Sequence, residues 1–150
     1  MFLWLFQSSV RVLDWAGNQL PWRRTRRAAH ATGRRGEEDA YFYLRRQGYV
    51  MVARNFRSRR RRGEIDLVGW DGDVLCFIEV KTRTTHDVKP AEAAVDEDKR
   101  RELSAMAREY WRGVTRAGKS ASIRFDIVSI YYESALPPQV TLFKNAFPMT

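Results

Sequence analysis

The stretch Gly63–Arg83, GEIDLVGWDGDVLCFIEVKTR, decides the fold. Its apolar residues alternate with polar ones in two runs around Asp71-Gly72, the pattern of two antiparallel strands and a tight turn. Side chains alternate across a strand, so Glu64, Asp66, Phe77, Glu79 and Lys81 fall on one face. Ile65, Leu67, Cys76, Ile78 and Val80 fall on the other, which is wholly hydrophobic. With Asp71-Gly72 as the turn, Val68 pairs with Leu75, Asp66 with Phe77 and Glu64 with Glu79. Asp66 and Glu79 are then diagonal neighbours. Burying such charges is costly unless they are paired or hold a cation.

Outward from this hairpin the chain reads as an α/β domain. TGRRGEEDAYFYLRRQGY predicts a helix that starts at Thr32 and stops at Gly48. Glu37 lies on its apolar face with Ala40, Tyr41 and Leu44, and Glu38 is displaced toward the flank. Tyr49–Phe56 predicts a strand. After a loop through Pro90, AVDEDKRRELSAMAREYWRGV predicts a second helix with Asp96 as its N-cap. Lys99, Leu103, Met106, Tyr110 and Val114 share one of its faces. Ser122–Tyr132 and QVTLFK predict two more strands. A strand–helix–strand crossover implies a parallel pair, so the sheet is expected to be mixed.

The chain is 150 residues long with a formal charge of +9, enough for one domain with a real core. Residues 1–35 carry seven arginines and one acid, and Arg54–Arg62 alone adds six positive charges. Such concentrated runs suit a polyanion or an anionic membrane surface. One cysteine, Cys76, excludes an internal disulfide, and two scattered histidines argue against structural zinc. The apolar run at the N-terminus ends at Phe6, far short of a membrane span. Residues 1–32 read as a basic, partly amphipathic extension that docks on the body or stays loose, in preference to lying on lipid. Residues 33–150 read as the single domain, and the expected location is the cytoplasm.

Asp66, twelve intervening residues, then Glu79-Val80-Lys81 makes the constellation D-x(12)-E-x-K. Two hard carboxylates at close range suit Mg²⁺ or Mn²⁺, with the Val80 main-chain carbonyl as a further oxygen. The ion would lower the pKa of a bound water and neutralise a scissile phosphate. Lys81 would orient that water and stabilise developing negative charge. The plainer alternative is an ion pair of Lys81 with Glu79 or Asp66. Against it stands the expectation that three carboxylates, Glu64, Asp66 and Glu79, or four with Glu37, converge on one lysine. Arg124 and Asp126 face together and are expected to pair beside the site. Asp71 and Asp73 are accounted for by the turn, and Trp70 is a candidate for stacking on a base.

These residues carry a resemblance. D-x(n)-E-x-K on a hairpin resembles the core signature of the PD-(D/E)xK nuclease superfamily. GEEDAYFYLRRQGY, RNFR, GEIDLV, FIEVKTR, AVDEDK, RFDIV and NAF resemble the YraN-like proteins, uncharacterised protein family 0102, across about Gly33–Phe147. The resemblance implies a restriction-endonuclease-like three-layer fold, a mixed central β-sheet flanked by helices. It implies Asp66 and Glu79 as metal ligands, Glu37 as the helix-one glutamate and auxiliary ligand, and Lys81 as the catalytic cation. Lys99 falls where related nucleases carry a polar residue. Ile65 stands in place of the superfamily's proline, which is not a ligand. Arg57, Arg59, Arg60, Arg61 and Arg62, with Lys99, are expected to grip a nucleic-acid backbone, DNA in preference to RNA, and no small-molecule cofactor is expected. The competing expectation is a nucleic-acid-binding module without turnover.

Overall fold

The computed structural model describes residues 21–84, 95–116 and 121–150. The expected N-terminal amphipathic segment and the loop through Pro90 lie outside them. The chain divides into Met1–Arg35 and Gly36–Thr150. The elements in order are helix α1 (Pro21–Arg46), strands β1 (Val50–Phe56), β2 (Ile65–Asp71) and β3 (Val74–Arg83), helix α2 (Glu97–Arg116), and strands β4 (Ser122–Tyr131) and β5 (Gln139–Phe147). The strands form one sheet in the order β1-β2-β3-β4-β5. β3 and β4 are parallel, and every other neighbouring pair is antiparallel.

Helix α1 begins at Pro21, not at Thr32. Proline at a first helical position costs nothing, because its missing N–H would have no partner there. The arginine- and alanine-rich residues that follow are good helix formers. Thr32 therefore sits inside the helix, and its hydroxyl donates back to the Ala28 carbonyl at 2.9 Å instead of capping. The helix ends as expected: Gly48 takes φ 92°, and the Tyr49 N–H closes the last turn on the Leu44 carbonyl. Helix α2 is capped by Asp96, whose Oδ1 accepts from the Lys99 N–H at 2.9 Å.

The hairpin turn is Gly72-Asp73, with Asp71 paired to Val74. Gly72 holds φ 60° at the first turn position, a conformation that glycine takes freely. The expected turn was one residue earlier, so every cross-strand pairing moves by two along the partner. Val68 now faces Phe77, not Leu75. A two-residue shift leaves the faces intact and changes only the partners.

The sheet has a helix on each side, giving the three-layer α/β fold expected of a restriction-endonuclease-like chain. On one face Leu103, Met106 and Ala107 of α2 pack against Val68, Leu75, Phe77, Phe125 and Ile127. On the other, Ala40 and Leu44 of α1 pack against Leu67, Cys76, Ile78, Val128 and Ile130. Helix α1 comes closest at Gly36, where an added Cβ would meet Thr82 Oγ1 at 2.1 Å and Thr82 Cβ at 3.3 Å. Gly36→Ala should lower stability by about 1–2 kcal/mol despite alanine's better helix propensity, because the β-branched neighbour cannot swing clear. Urea denaturation checks this, and a stabilised variant would show that the helix shifts without cost.

A buried polar network ties the sheet at its hairpin end. Asp126, fully buried, receives Arg124 Nε and the Asn145 N–H on Oδ1. Its Oδ2 receives the Tyr49 hydroxyl and Arg124 Nη2. Arg124 also reaches Asp71 at 2.7 Å, and Lys144 joins Asp71 at 2.8 Å. Asp71 is thus more than a turn residue. The two cations hold its carboxyl below the usual range. The expected Arg124–Asp126 pair is present, but it faces the α1 layer, on the sheet face opposite the Glu79 side chain.

Candidate functional site

Alternation along β2 and β3 puts Asp66 on the face of Val68, and Glu79 and Lys81 on the face of Phe77, toward α2. The β2–β3 pairing runs from Asp71↔Val74 to Leu67↔Ile78, and Asp66 and Glu79 are the next residues beyond its last pair. Asp66 Oδ2 accepts from the Val80 N–H at 2.7 Å, so the Val80 main chain enters the site as a donor. Glu79 is 6% exposed. Its Oε1 accepts from Lys81 Nζ at 2.9 Å. Its Oε2 has Lys99 Nζ at 3.7 Å, a charge contact too long for a hydrogen bond. Oε2 is therefore a buried carboxylate oxygen with no hydrogen-bond partner. Such an atom is expensive unless something else meets it.

Asp66 carries the electrostatic strain. Burial pushes its carboxyl up to about 7, with Glu79 and Glu37 adding to the rise and the Val80 N–H and Lys99 opposing it. Between the unfolded value of 3.8 and about 7, the folded protein holds a proton that the unfolded chain has released. Stability of the metal-free protein should therefore fall as pH rises from about 4 to about 7. Thermal denaturation in EDTA checks this. Asp66→Asn should flatten the fall, and an unchanged profile in that variant would assign it to other groups.

Of the carboxylates expected around one lysine, Glu79 is in contact with Lys81, and the Glu37 charge reaches Asp66. Glu37 belongs to the α1 layer, where its Oε2 accepts from Asn55 Nδ2 at 2.9 Å. Asn55 sits in β1 at φ 48°, and sequence reasoning did not single it out. Glu64 leaves the site for Arg57, 2.8 Å away. Among the described residues, no group of three or more His, Cys, Asp or Glu is placed to hold a metal ion. What remains is two carboxylates, Asp66 and Glu79, with two ammonium groups, Lys81 and Lys99. Two carboxylates still suit Mg²⁺, which commonly takes one or two from the protein and keeps waters and substrate oxygens for the rest. The unpartnered Glu79 Oε2 is the atom that such an ion would satisfy. Lys99 was expected as a backbone contact; its reach to Glu79 was missed, although its place on the apolar face of α2 pointed toward the sheet.

The arginine run forms an anchored loop. Ser58 is buried, donating to Glu109 Oε2 at 2.7 Å and accepting from the Arg60 N–H at 3.0 Å. Gly63 takes φ 96°, a conformation that strains any residue with a side chain. Arg57, Arg61, Arg62 and Lys99 line a cleft of about 570 Å³, with Ser58, Gly63 and Glu64 completing it. Arg59 and Arg60 are exposed but do not line it. Lys99 thus belongs both to the cationic cleft and to the carboxylate pair. Cys76 is buried, and burial pushes its thiol up to about 12, which removes it as a nucleophile.

The model of the uncharacterised protein family UPF0102 matches residues 36–130. The chain belongs to this family. It is 53% identical to a UPF0102 protein of Koribacter versatilis (strain Ellin345), over 77% of this chain and 78% of that one. It is 46% identical to a UPF0102 protein of Solibacter usitatus (strain Ellin6076), over 83% and 91%. A third, from Geobacter metallireducens, is 40% identical over 78% and 92%. The UPF0102 match holds Glu37, Asp66, Glu79, Lys81 and Lys99 within its bounds, and the arginine loop as well. Among the described residues, no helix is long and apolar enough to cross a membrane.

Proposed function

We propose that this UPF0102 protein is a metal-dependent nuclease that hydrolyses phosphodiester bonds. The observation that carries the reading is the buried, unpartnered Glu79 Oε2, whose carboxylate acts on Asp66 and which is joined through Lys99 to an arginine-lined cleft. Asp66 and Glu79 would hold Mg²⁺ or Mn²⁺, with the Val80 carbonyl as a further oxygen. The ion supplies an activated water and neutralises phosphate charge.

The chain's own groups do the rest. Arg57, Arg61 and Arg62 bind the backbone beside the site, where a phosphate accepts paired guanidinium donors. Lys99 carries the positive lining inward to Glu79. Lys81, held 2.9 Å from Glu79 Oε1, offers its ammonium to a developing oxyanion. A loop that reads backbone rather than base edges favours structure-specific or low-specificity cutting, with DNA ahead of RNA. Glu37 acts from the α1 layer, raising the Asp66 carboxyl and so sharpening its demand for a cation. The buried free thiol Cys76 goes with a cytoplasmic setting.

A second reading has its own observation: Glu79 already faces two ammonium groups, Lys81 and Lys99, so its charge is met without a metal. On that reading the protein binds nucleic acid and does not cut it. Incubating labelled single-stranded, duplex and branched DNA and structured RNA with the protein in Mg²⁺, Mn²⁺ or EDTA separates the two. Cutting that needs the metal supports the nuclease. Steeply salt-sensitive binding with no cutting in any metal would replace it with the binding module.

A further inference from the structure

A second concavity, of about 590 Å³, opens beside the arginine cleft. Phe56, Trp70 and Tyr110 line it together with Val52, Gly113 and Val114. Its aromatic walls are fixed: Tyr110 meets Phe56 edge-on at 5.0 Å and Phe77 edge-on at 5.8 Å. The two hollows share a wall. Phe56 lines the apolar one, and the next residue, Arg57, lines the cationic one. Glu109 lines the apolar one, and its Oε2 accepts from Ser58, which lines the other. One step along the chain therefore passes from guanidinium to aromatic, the alternation that a nucleotide presents from phosphate to base.

We infer that this pocket receives one unpaired nucleobase of a strand whose phosphates lie in the arginine cleft. The inference rests on the proposed nucleic-acid reading and narrows its substrate to strands with an unstacked base: single strands, flaps or loops. A base within a duplex has its faces covered by its neighbours and cannot enter. Aromatic walls receive any base face, so the pocket selects for single-strandedness rather than sequence. Val52, 45% exposed on the edge strand, gains a cover in the complex.

Gly113 provides the test, because a Cβ built there meets nothing within 4 Å. Gly113→Leu should fill the pocket while raising the helix propensity of α2. The probes are a labelled single-stranded oligonucleotide and a fully abasic strand of equal length and charge, at low salt in EDTA. The wild-type protein should bind the base-bearing strand about tenfold more tightly. Gly113→Leu should lose that preference, keep its affinity for the abasic strand and melt no lower than wild type. Arg61→Ala with Arg62→Ala should weaken both strands alike.

Equal binding of the two strands by the wild type would overturn the pocket and leave the arginine cleft standing. A preference that survives Gly113→Leu in a folded protein would place the base elsewhere, and overturn it too. Self-association lost in Gly113→Leu, with strand preference unchanged, would assign the hollow to a second copy of the chain. Binding of neither strand would remove the nucleic-acid reading and this inference together.

Discussion

Glu79→Gln should lower metal-dependent cleavage by more than about 10²-fold while nucleic-acid affinity changes little. Glutamine keeps the shape and the acceptor for Lys81 but removes the charge that Asp66 and Glu79 jointly present. Lys81→Ala should cost about 10²–10³ in turnover, the usual loss when one group that stabilises developing charge is removed. Affinity survives in both variants because the arginines of the 57–62 loop, not the carboxylates, hold the strand. Cleavage and filter binding measured on the same preparations read the two effects apart. Equal loss of binding and cleavage would mean that Glu79 and Lys81 support the cleft rather than the chemistry.

Arg124→Ala should be the most damaging single change to the fold, at about 3–5 kcal/mol. Asp126 is fully buried and takes two of its four hydrogen bonds from that guanidinium. Removing the cation leaves a carboxylate inside the sheet with only Tyr49 and the Asn145 N–H. Leaving a buried charge uncompensated is what makes such deletions costly. Arg124→Lys should recover only part of the loss, since an ammonium cannot span Asp126 and Asp71 with one planar fork. Guanidinium chloride unfolding of the three proteins gives the order wild type, Lys, Ala. A loss below about 1 kcal/mol for Ala would mean that Asp126 is protonated or hydrated in the variant.

What could be read from the sequence, and what could not, follows from the range of each signal. Alternation is local and robust, so the shared face of Asp66, Glu79 and Lys81 is legible in the residue order alone. Their partners are not, because the pairing depends on which two residues form the turn. The Asp-Gly signal is satisfied equally well with Gly72 in the first turn position or the second. The fold uses the first, sets Val68 opposite Phe77 and leaves Asp71 to bind Arg124. The end of α1 is legible because Gly48 supplies the left-handed backbone that the cap needs. Its start is not, because Thr32 caps a helix or bonds back within one with equal ease.

Layer assignment is the other blind point. The apolar face of α1 announces that Glu37 points inward, but not toward which side of the sheet. In the fold Asn55 donates to its carboxylate, and its charge acts on Asp66. The same ambiguity sets Arg124 and Asp126 beside the site when only their alternation is read, and behind it in the fold. Lys99 shows the reverse case. Its helical face is legible, and only the crossover from β3 to β4 brings it over Glu79.

The most direct measurement is Mn²⁺ binding to the intact chain, by calorimetry or by loss of the free-ion spin-resonance signal. One ion per chain should bind the wild type, with at least tenfold weaker binding in Asp66→Asn and in Glu79→Gln and no change in Arg61→Ala. An absence of binding, or binding indifferent to both carboxylate substitutions, would contradict a cation joining Asp66 to Glu79.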